Sequence, residues 1–557
     1  MEKIDSDTLS LWREEGSLLI QQNFEEFRSL VAQAKDCVER GQYDAAAMYA
    51  EIAAFYAVGK HCGLFVSPEL ECVLSEIGRK VIPVSFSSGQ SPSLHKTPKH
   101  ILHVATSVMS IGGHSRMIWR WIQQDTERSH SLVLTRQGAA EIPYLLREAV
   151  KNSHGQIYVL NENIEDFELI AQAKRLREIA ATADLVILHI YNFDVVPLIA
   201  FANKEQSPPI FFLDHADHLF WLGAAISDVV ISLRESGMRL AQKRRGIDPD
   251  QSVLLPIILE PTQRVLSRIE AKRQLGIPEE SILLLSVARA IKYKTIDGIS
   301  FADAHVPLLT HDERAFLIIV GPGTTEDYSS VIQQTEGRII VYQEREDTAV
   351  FYQAADIYVD SFPFISTTSL LEAGSYGVPL VSRFPYSDES TVLGADMPGL
   401  TGNLICTRDL EEYRKTLSRL IEDEKVRLAL GEATRQKIVG THTENFWQKS
   451  LQEVYDHASV RPREIVTTAP TDRMFIGEPD VFIHRIHGWD DNYFDWVIQA
   501  RLPMLPIAHR LQLWLGIVKK HGLRHRIMLL MPKWMQSMYG SLRMSLKPPL
   551  NQKLDFK

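Results

Sequence analysis

From Ile101 to Cys406 short apolar runs alternate with stretches of helical periodicity, and this alternation limits the fold more than any other feature of the chain. The runs Ile101–Thr106, Ser131–Thr135, Ile157–Leu160, Asp184–Ile190, Pro209–Leu213, Asp228–Ser232 and Ser252–Leu255 read as strands. After a break near Pro256–Pro261 a second series follows: Ile282–Val287, Ala315–Val320, Arg338–Tyr342, Asp356–Asp360, Val378–Ser382 and Leu404–Cys406. Strands spaced by single helices build βα units and mostly parallel sheets. The expected fold class is α/β, with two Rossmann-like domains, a helical N-terminal region and a helical C-terminal extension.

The expected division is residues 1–95 helical, 96–260 the first Rossmann-like domain, 261–460 the second with closing helices, and 461–557 a linker and basic helical tail. A chain of 557 residues is too long for one core. In the N-terminal region Phe24, Phe27, Leu30, Val31 and Ala34 recur at helical spacing. Arg40-Gly41-Gln42-Tyr43 then turns the chain into the alanine-rich stretch Ala45–Val58, which resembles one tetratricopeptide-like hairpin. One such unit is too little for a repeat array. Ser85–Pro98 and residues 461–473 read as linkers.

Net charge is −10, unevenly spread. Residues 501–557 carry +10, which leaves −20 on the rest. An acidic body argues against nucleic-acid binding. Four scattered cysteines, Cys37, Cys62, Cys72 and Cys406, have neither metal-ligand spacing nor a disulfide pattern. The polar, acidic start is unlike a signal peptide, and no apolar run approaches the roughly 18 residues that span a bilayer. A cytoplasmic location is expected, peripheral at the inner face of the membrane if the tail binds lipid. In that tail Ile507, Leu511, Trp514, Leu515 and Val518 share a helical stripe beside Arg510, Lys519 and Lys520, with Arg524, Arg526, Lys533 and Trp534 beyond. A basic amphipathic segment lies on an anionic membrane or packs on its own protein.

Chemistry concentrates where strands end. The densest stretch is Asp360–Ser382: a strand end, a loop, Ser366, Thr367, Thr368 and Ser369 at a helix start, then Gly377 and Pro379 as the stop. Unpaired N–H groups and the helix dipole attract anions there, and hydroxyls add hydrogen bonds to phosphate. The same residues also suit an ordinary capped helix. Glu372, one turn in, could reach a ribose or sugar hydroxyl. Gly112 and Gly113 follow the first strand and let backbone approach a phosphate, with His114 and Arg116 at the next helix start. Arg289 and Lys294 follow the first strand of the second series and could neutralise a diphosphate or simply face water. Gly321-Pro322-Gly323 is a further tight turn at that sheet edge. Asp214, His215, Asp217 and His218 form a polar loop; neighbouring His and Asp suit general-base work, metal ligation or a structural role.

Taken in order, Gly112–Arg116, Arg289 with Lys294, Val320–Gly323, Phe351–Asp360 and Glu372–Val381 resemble a GT-B glycosyltransferase that uses a nucleotide-sugar donor. The resemblance covers about residues 100–460. It implies a nucleotide-sugar site of Gly112, Gly113, Arg116, Arg289, Lys294, Gly321, Ser366, Thr367, Thr368, Ser369 and Glu372. Catalytic candidates are His114, His215 and Asp214. It further implies a UDP-sugar donor, no metal, no cofactor, and a glycan, lipid-linked or protein acceptor. Retaining members of the glycosyltransferase family 1 domain group carry a second acid eight residues before the position of Glu372, where this chain has Phe364. Asp360–Phe364 with Thr367, Thr368, Ser369 and Glu372 is more similar to inverting enzymes of the O-GlcNAc transferase type and related bacterial protein glucosyltransferases. Those supply a His in the first glycine loop, matched by His114, a diphosphate-binding Lys, matched by Lys294, and paired threonines, matched by Thr367 and Thr368. A nucleotide-sugar 2-epimerase of the same fold and a catalytically silent scaffold are the competing expectations.

Overall fold

Every apolar run singled out above becomes a parallel strand. A computed structural model describes residues 3–83, 98–110, 112–161, 168–260, 262–296, 298–323, 325–458, 471–523, 526–531 and 535. The first sheet has seven strands, β1 (His100–Ala105), β2 (Ser129–Leu134), β3 (Ile157–Val159), β4 (Leu185–His189), β5 (Ile210–Asp214), β6 (Val229–Ser232) and β7 (Ser252–Leu254), in the order β3-β2-β1-β4-β5-β6-β7. The second has six, β8 (Ile282–Val287), β9 (Ala315–Val320), β10 (Ile339–Tyr342), β11 (Ile357–Val359), β12 (Leu380–Arg383) and β13 (Leu404–Thr407), in the order β10-β9-β8-β11-β12-β13. All strand pairs are parallel. Both sheets are covered on both faces, which is why central strands such as Ile210–Asp214 are wholly buried. In each sheet the strand order reverses beside the first strand of the series, and ligands of such sheets bind outside the strand carboxyl ends at that switch point.

The helices Lys3–Glu39, Tyr43–Gly59 and Pro68–Val81 precede the first sheet. They share one hydrophobic core with its outer face and with the C-terminal extension. The helix Glu444–Ala458 closes the second domain against the first: the Tyr455 hydroxyl donates to Asp125 (2.7 Å) and accepts from the Trp121 indole (3.0 Å), and the Trp447 indole donates to the Pro256 carbonyl (2.7 Å).

The C-terminal extension is pinned to both ends of the chain's fold. Asp480 accepts from Arg244 twice (2.8 and 2.9 Å) and bonds His61 (2.8 Å). Glu478 meets Arg13 (2.7 Å) and the hydroxyl of Ser390 (2.9 Å). The tail stripe lies on one helix, Ile507–His521, but its residues do not share one environment. Trp514 is half-buried, its indole donating to the Arg526 carbonyl (2.7 Å), and Arg510 turns inward to the carbonyls of Pro503, Leu505 and Leu530. A buried guanidinium that satisfies three carbonyls is a structural cation, not a surface one. Lys520 is engaged by Asp495 (2.7 Å). Ile507, Leu511 and Leu515 remain exposed, at 66%, 45% and 55%. Among the described residues no helix is long and apolar enough to cross a membrane. Most of both linker stretches, together with Arg524, Lys533, Trp534 and residues 536–557, lies outside the described residues.

Candidate functional site

A cavity of about 490 Å³ opens between the strand carboxyl ends of the two sheets, within the size range of small-molecule sites. Its two walls differ in kind.

The second-domain wall is polar and cationic. β11 ends at Asp360, a buried carboxylate that accepts from the backbone N–H of Ser361 and Ser366 (2.9 Å each) and from the Ser382 hydroxyl (3.2 Å). It shapes the loop that presents the helix Thr367–Ser375. Burial pushes the Asp360 carboxyl up to about 6 despite those donors. Ser366 stands at the N-cap without capping: its hydroxyl donates to Ser369 (3.1 Å). Ser366, Thr367, Thr368 and Ser369 all line the cavity. Arg289 lines it too, 3.6 Å from Glu344. Gly321, at φ +85°, ends β9; a Cβ there would stand 2.4 Å from the Ala288 carbonyl oxygen. Only a glycine allows that approach.

Lys294 does not reach the cavity. Its ammonium donates to the carbonyls of Arg485 (2.6 Å) and Ile486 (2.8 Å) in the extension. The lysine that lines the cavity is Lys292, which donates to the Ile365 carbonyl (2.8 Å) and lies 4.8 Å over the Phe364 ring. The cause is the short 3-10 turn Ala290–Lys292 and the next residue, Tyr293, whose hydroxyl is buried against Ser286 (2.9 Å). Burial lowers the Lys292 ammonium to about 8, with Asp360 opposing.

The first-domain wall is imidazole-rich. Gly112 has φ +126°, and a Cβ on Gly113 would stand 2.6 Å from Thr368 Oγ1, so the two domains' loops touch here. His114 Nε2 lies 2.9 Å from the His189 carbonyl oxygen. A carbonyl only accepts, so Nε2 carries the proton and Nδ1 offers a lone pair. The His215 ring is 4.2 Å away. Burial, and then its neighbour His215, keep His114 well below the usual histidine range; burial lowers His215 to about 4. Beneath them His189, His103 and His130 form a buried run of ring-nitrogen hydrogen bonds, 2.9 Å at each link.

Asp214 is not the partner of His215 that adjacency suggests. Its carboxylate makes no hydrogen bond to either histidine and lies 3.7 Å from Arg245. Burial pushes it up to about 7, against the pull of Arg245. Asp217 is committed to Arg234 by a fork of two 2.6 Å bonds, and Arg234 continues to the carbonyls of Val392 (2.7 Å) and Gly394 in the second domain. Glu372 is engaged from across the cleft: Arg116 donates to one oxygen (2.8 Å) and the Tyr352 hydroxyl to the other (3.2 Å). Gly112, Gly113, His114, Arg116, Asp214, His215, Arg289, Gly321, Ser366, Thr367, Thr368, Ser369 and Glu372 thus line one cavity; Lys294 alone of the expected set is outside it. Lys292, Arg234, Phe364 and His487 belong to the lining as well.

Residues 267–437 match the family model for glycosyl transferases group 1. A D-inositol 3-phosphate glycosyltransferase of Corynebacterium aurimucosum is 26% identical over 186 residues, covering 31% of this chain and 42% of the relative. One of Salinispora arenicola is 27% identical over 210 residues, covering 34% of this chain and 44% of the relative. The matched segments therefore span less than half the length of these curated relatives. The solved structure of a glycosyltransferase from Rickettsia africae covers 66% of this chain and 100% of its own at TM-score 0.53 and 13% identity, a likeness of fold. With two parallel sheets facing one cleft, the chain has the GT-B fold, and residues 267–437 within its second half are similar to glycosyl transferases group 1.

Proposed function

We propose that the protein is a glycosyltransferase moving a sugar from a nucleoside-diphosphate donor, UDP-linked in the simplest case, to a hydroxyl or amide of a glycan, lipid-linked saccharide or protein. Residues 261–460 act as the donor-binding half and 96–260 as the acceptor half. The observation that carries this reading is the division of one cavity into a cationic, hydroxyl-rich wall and a neutral imidazole wall. The leaving diphosphate sits against Arg289, Lys292, the first turn of Thr367–Ser375 and the hydroxyls of Ser366–Ser369. These donors stabilise the charge that grows as the sugar–phosphate bond breaks, with no call on a metal. Glu372 takes the ribose hydroxyls while keeping Arg116. His114 accepts the acceptor's proton at Nδ1, and His215 beside it shares the developing charge. Asp214 has no part in the proton transfer. Phe364 stands where a second acid would be and cannot serve as a nucleophile, which favours a single displacement with inversion.

The test is calorimetry with UDP, GDP and ADP, followed by product analysis on the conjugate of the base that binds. Binding with slow release of sugar and nucleotide supports transfer chemistry. Conversion of the donor to its epimer on a donor-only incubation replaces the reading with epimerisation. No binding of any nucleoside diphosphate leaves a scaffold.

The exposed apolar residues Ile507, Leu511 and Leu515, on a tail of net charge +10, further support an anionic membrane surface as partner. Flotation with phosphatidylglycerol vesicles tests this; flotation unchanged by Leu511→Ser with Leu515→Ser removes it.

A further inference from the structure

The C-terminal extension sends one residue into the cleft. His487 follows the helix Asp480–Ile486 and lines the cavity. Its ring stands edge-on to Phe364 (5.7 Å, 82°) and to His218 (5.7 Å, 81°), and those two are 5.2 Å apart. The three rings form a closed triangle built from three distant parts of the chain. Its geometry is held from below: Lys294 grips the carbonyls of Arg485 and Ile486, and Asp480 is clamped by His61 and Arg244.

The triangle is polar and unsatisfied. Nδ1 of His487, Nε2 of His218 and Nδ1 of the nearby His215 are buried without a hydrogen-bond partner. A buried polar nitrogen left unpaired is costly and rare, and several on one wall of a cavity call for a ligand that supplies the partners. Burial lowers His487 to about 3 and His215 to about 4, so the rings are neutral around pH 7. A neutral imidazole offers one donor and one acceptor, which matches a hydroxyl and not an ion. The carboxylates nearby are Asp217, spent on Arg234, and Asp214, against Arg245. The ammonium over Phe364 belongs to Lys292, which the diphosphate takes up.

We propose that His487, with Phe364 and His218, forms the pocket for the donor's sugar ring and selects an uncharged, polyhydroxylated sugar, so that the extension completes the cleft. The sugar ring packs against Phe364 and the two imidazoles, and its hydroxyls pair with the unpartnered nitrogens. This inference rests on the nucleotide-sugar reading above and adds the residue that reads the sugar.

The experiment is calorimetry on the full-length protein and its His487→Ala variant with UDP, UDP-glucose, UDP-galactose, UDP-N-acetylglucosamine and UDP-glucuronate, or the GDP or ADP counterparts if those bind. In the variant the affinity for the bare diphosphate stays within about threefold, while the neutral conjugate that binds the wild type best weakens at least about tenfold. In the wild type the glucuronate conjugate binds more weakly than the neutral ones. His487→Asn, which keeps a donor and an acceptor, recovers part of the loss. If His487→Ala does not fold, His487→Asn and His487→Leu carry the test, since both should weaken the conjugate without weakening the diphosphate. Unchanged affinity for every neutral conjugate, with the diphosphate still bound, overturns this inference alone. A wild type that binds no nucleoside diphosphate overturns the cleft reading and this inference with it.

Discussion

The two halves of the molecule share a topology and differ in what their strand ends carry. Each is a parallel sheet whose order reverses beside its first strand, and each follows that strand with a loop that enters the cleft. In the second half the loops bring Arg289, Lys292 and a helix start rich in hydroxyls. In the first they bring His114, His215 and His218. The first half is not poor in charge; it spends its charges on structure. Asp217 holds Arg234, Asp480 holds Arg244, and Glu51 holds Arg501 (2.6 Å) and Arg136. The charges that reach the cavity from that side are already met, Arg116 by Glu372, Arg234 by Asp217 and Asp214 by Arg245, and what is left to meet a ligand is imidazole. One fold thus makes a cationic, hydroxyl-rich wall and an imidazole wall, because topology places the loops and the loops choose the chemistry.

The sharpest way to break this contrast is to remove one group from each wall. His114→Ala should lower turnover by about 10²–10⁴-fold, the range for a lost general base, with nucleoside-diphosphate affinity nearly unchanged. Steady-state kinetics beside calorimetry checks both halves of that statement. Turnover that survives within about tenfold would move proton transfer to His215. On the opposite wall Lys292→Ala should lower turnover by about 10²–10³-fold, typical of one donor to a developing oxyanion, and should weaken the diphosphate as well. If it lowers turnover and leaves diphosphate affinity intact, Lys292 faces the sugar and the walls have been assigned wrongly.

A third effect is smaller and depends on pH. Burial holds Lys292 at about 8, and a bound phosphate would raise that value by favouring the charged form. Below pH 8 the ammonium is present in the free protein and affinity is full. As pH rises through 8 the free protein loses its proton while the complex keeps it. Binding must then take up a proton, and affinity falls by at most about tenfold per pH unit. Asp360 and Arg289 are the charged groups acting on this ammonium, and Asp360 is already ionised above about 6. Calorimetry between pH 7 and 9.5 should show the decline in the wild type and a flat profile in Lys292→Ala. The same slope in both would assign the titration to another group.

Legibility followed distance along the chain. Strands were readable because a doubly covered parallel strand is a continuous apolar run, and Ile210–Asp214 or Ala315–Val320 has few other places to go. Gly112, Gly113, His114, Arg289, Gly321 and Ser366–Ser369 were readable because each directly follows a strand that the topology aims at the cleft. Within a loop the sequence does not separate positions two residues apart: Lys292 and Lys294 are equally cationic, and only the burial of Tyr293 decides which one faces the cavity. Arg510 failed for a related reason, since spacing does not tell a guanidinium that collects carbonyls from one that meets water. Asp214 shows that adjacency in sequence is not pairing, because successive strand-end residues point to opposite sides. His487 left no local signal at all. The helix before it is held at the cleft by His61 and Arg244, which bond Asp480, and by Lys294, which bonds the carbonyls of Arg485 and Ile486, each partner more than a hundred residues away in sequence.

The smallest expected effect discriminates best between these neighbours. Lys294→Ala should leave nucleoside-diphosphate affinity within about threefold, well under the 1.4 kcal/mol of a tenfold step, because its ammonium meets carbonyls and not the ligand. What it should lose is the grip on residues 485 and 486. The extension then loosens at its cleft end, thermal stability drops, and the sugar conjugate weakens more than the bare diphosphate, in the direction of His487→Ala but by less. Limited proteolysis of the extension together with calorimetry on both ligands reads these effects separately. A Lys294→Ala protein that loses the diphosphate as severely as Lys292→Ala would return Lys294 to the cationic wall. Its place under the extension would then describe one state of a side chain that swings into the cleft when phosphate arrives. Equal losses for diphosphate and conjugate would argue for that swing; a loss confined to the conjugate would keep the two walls as drawn.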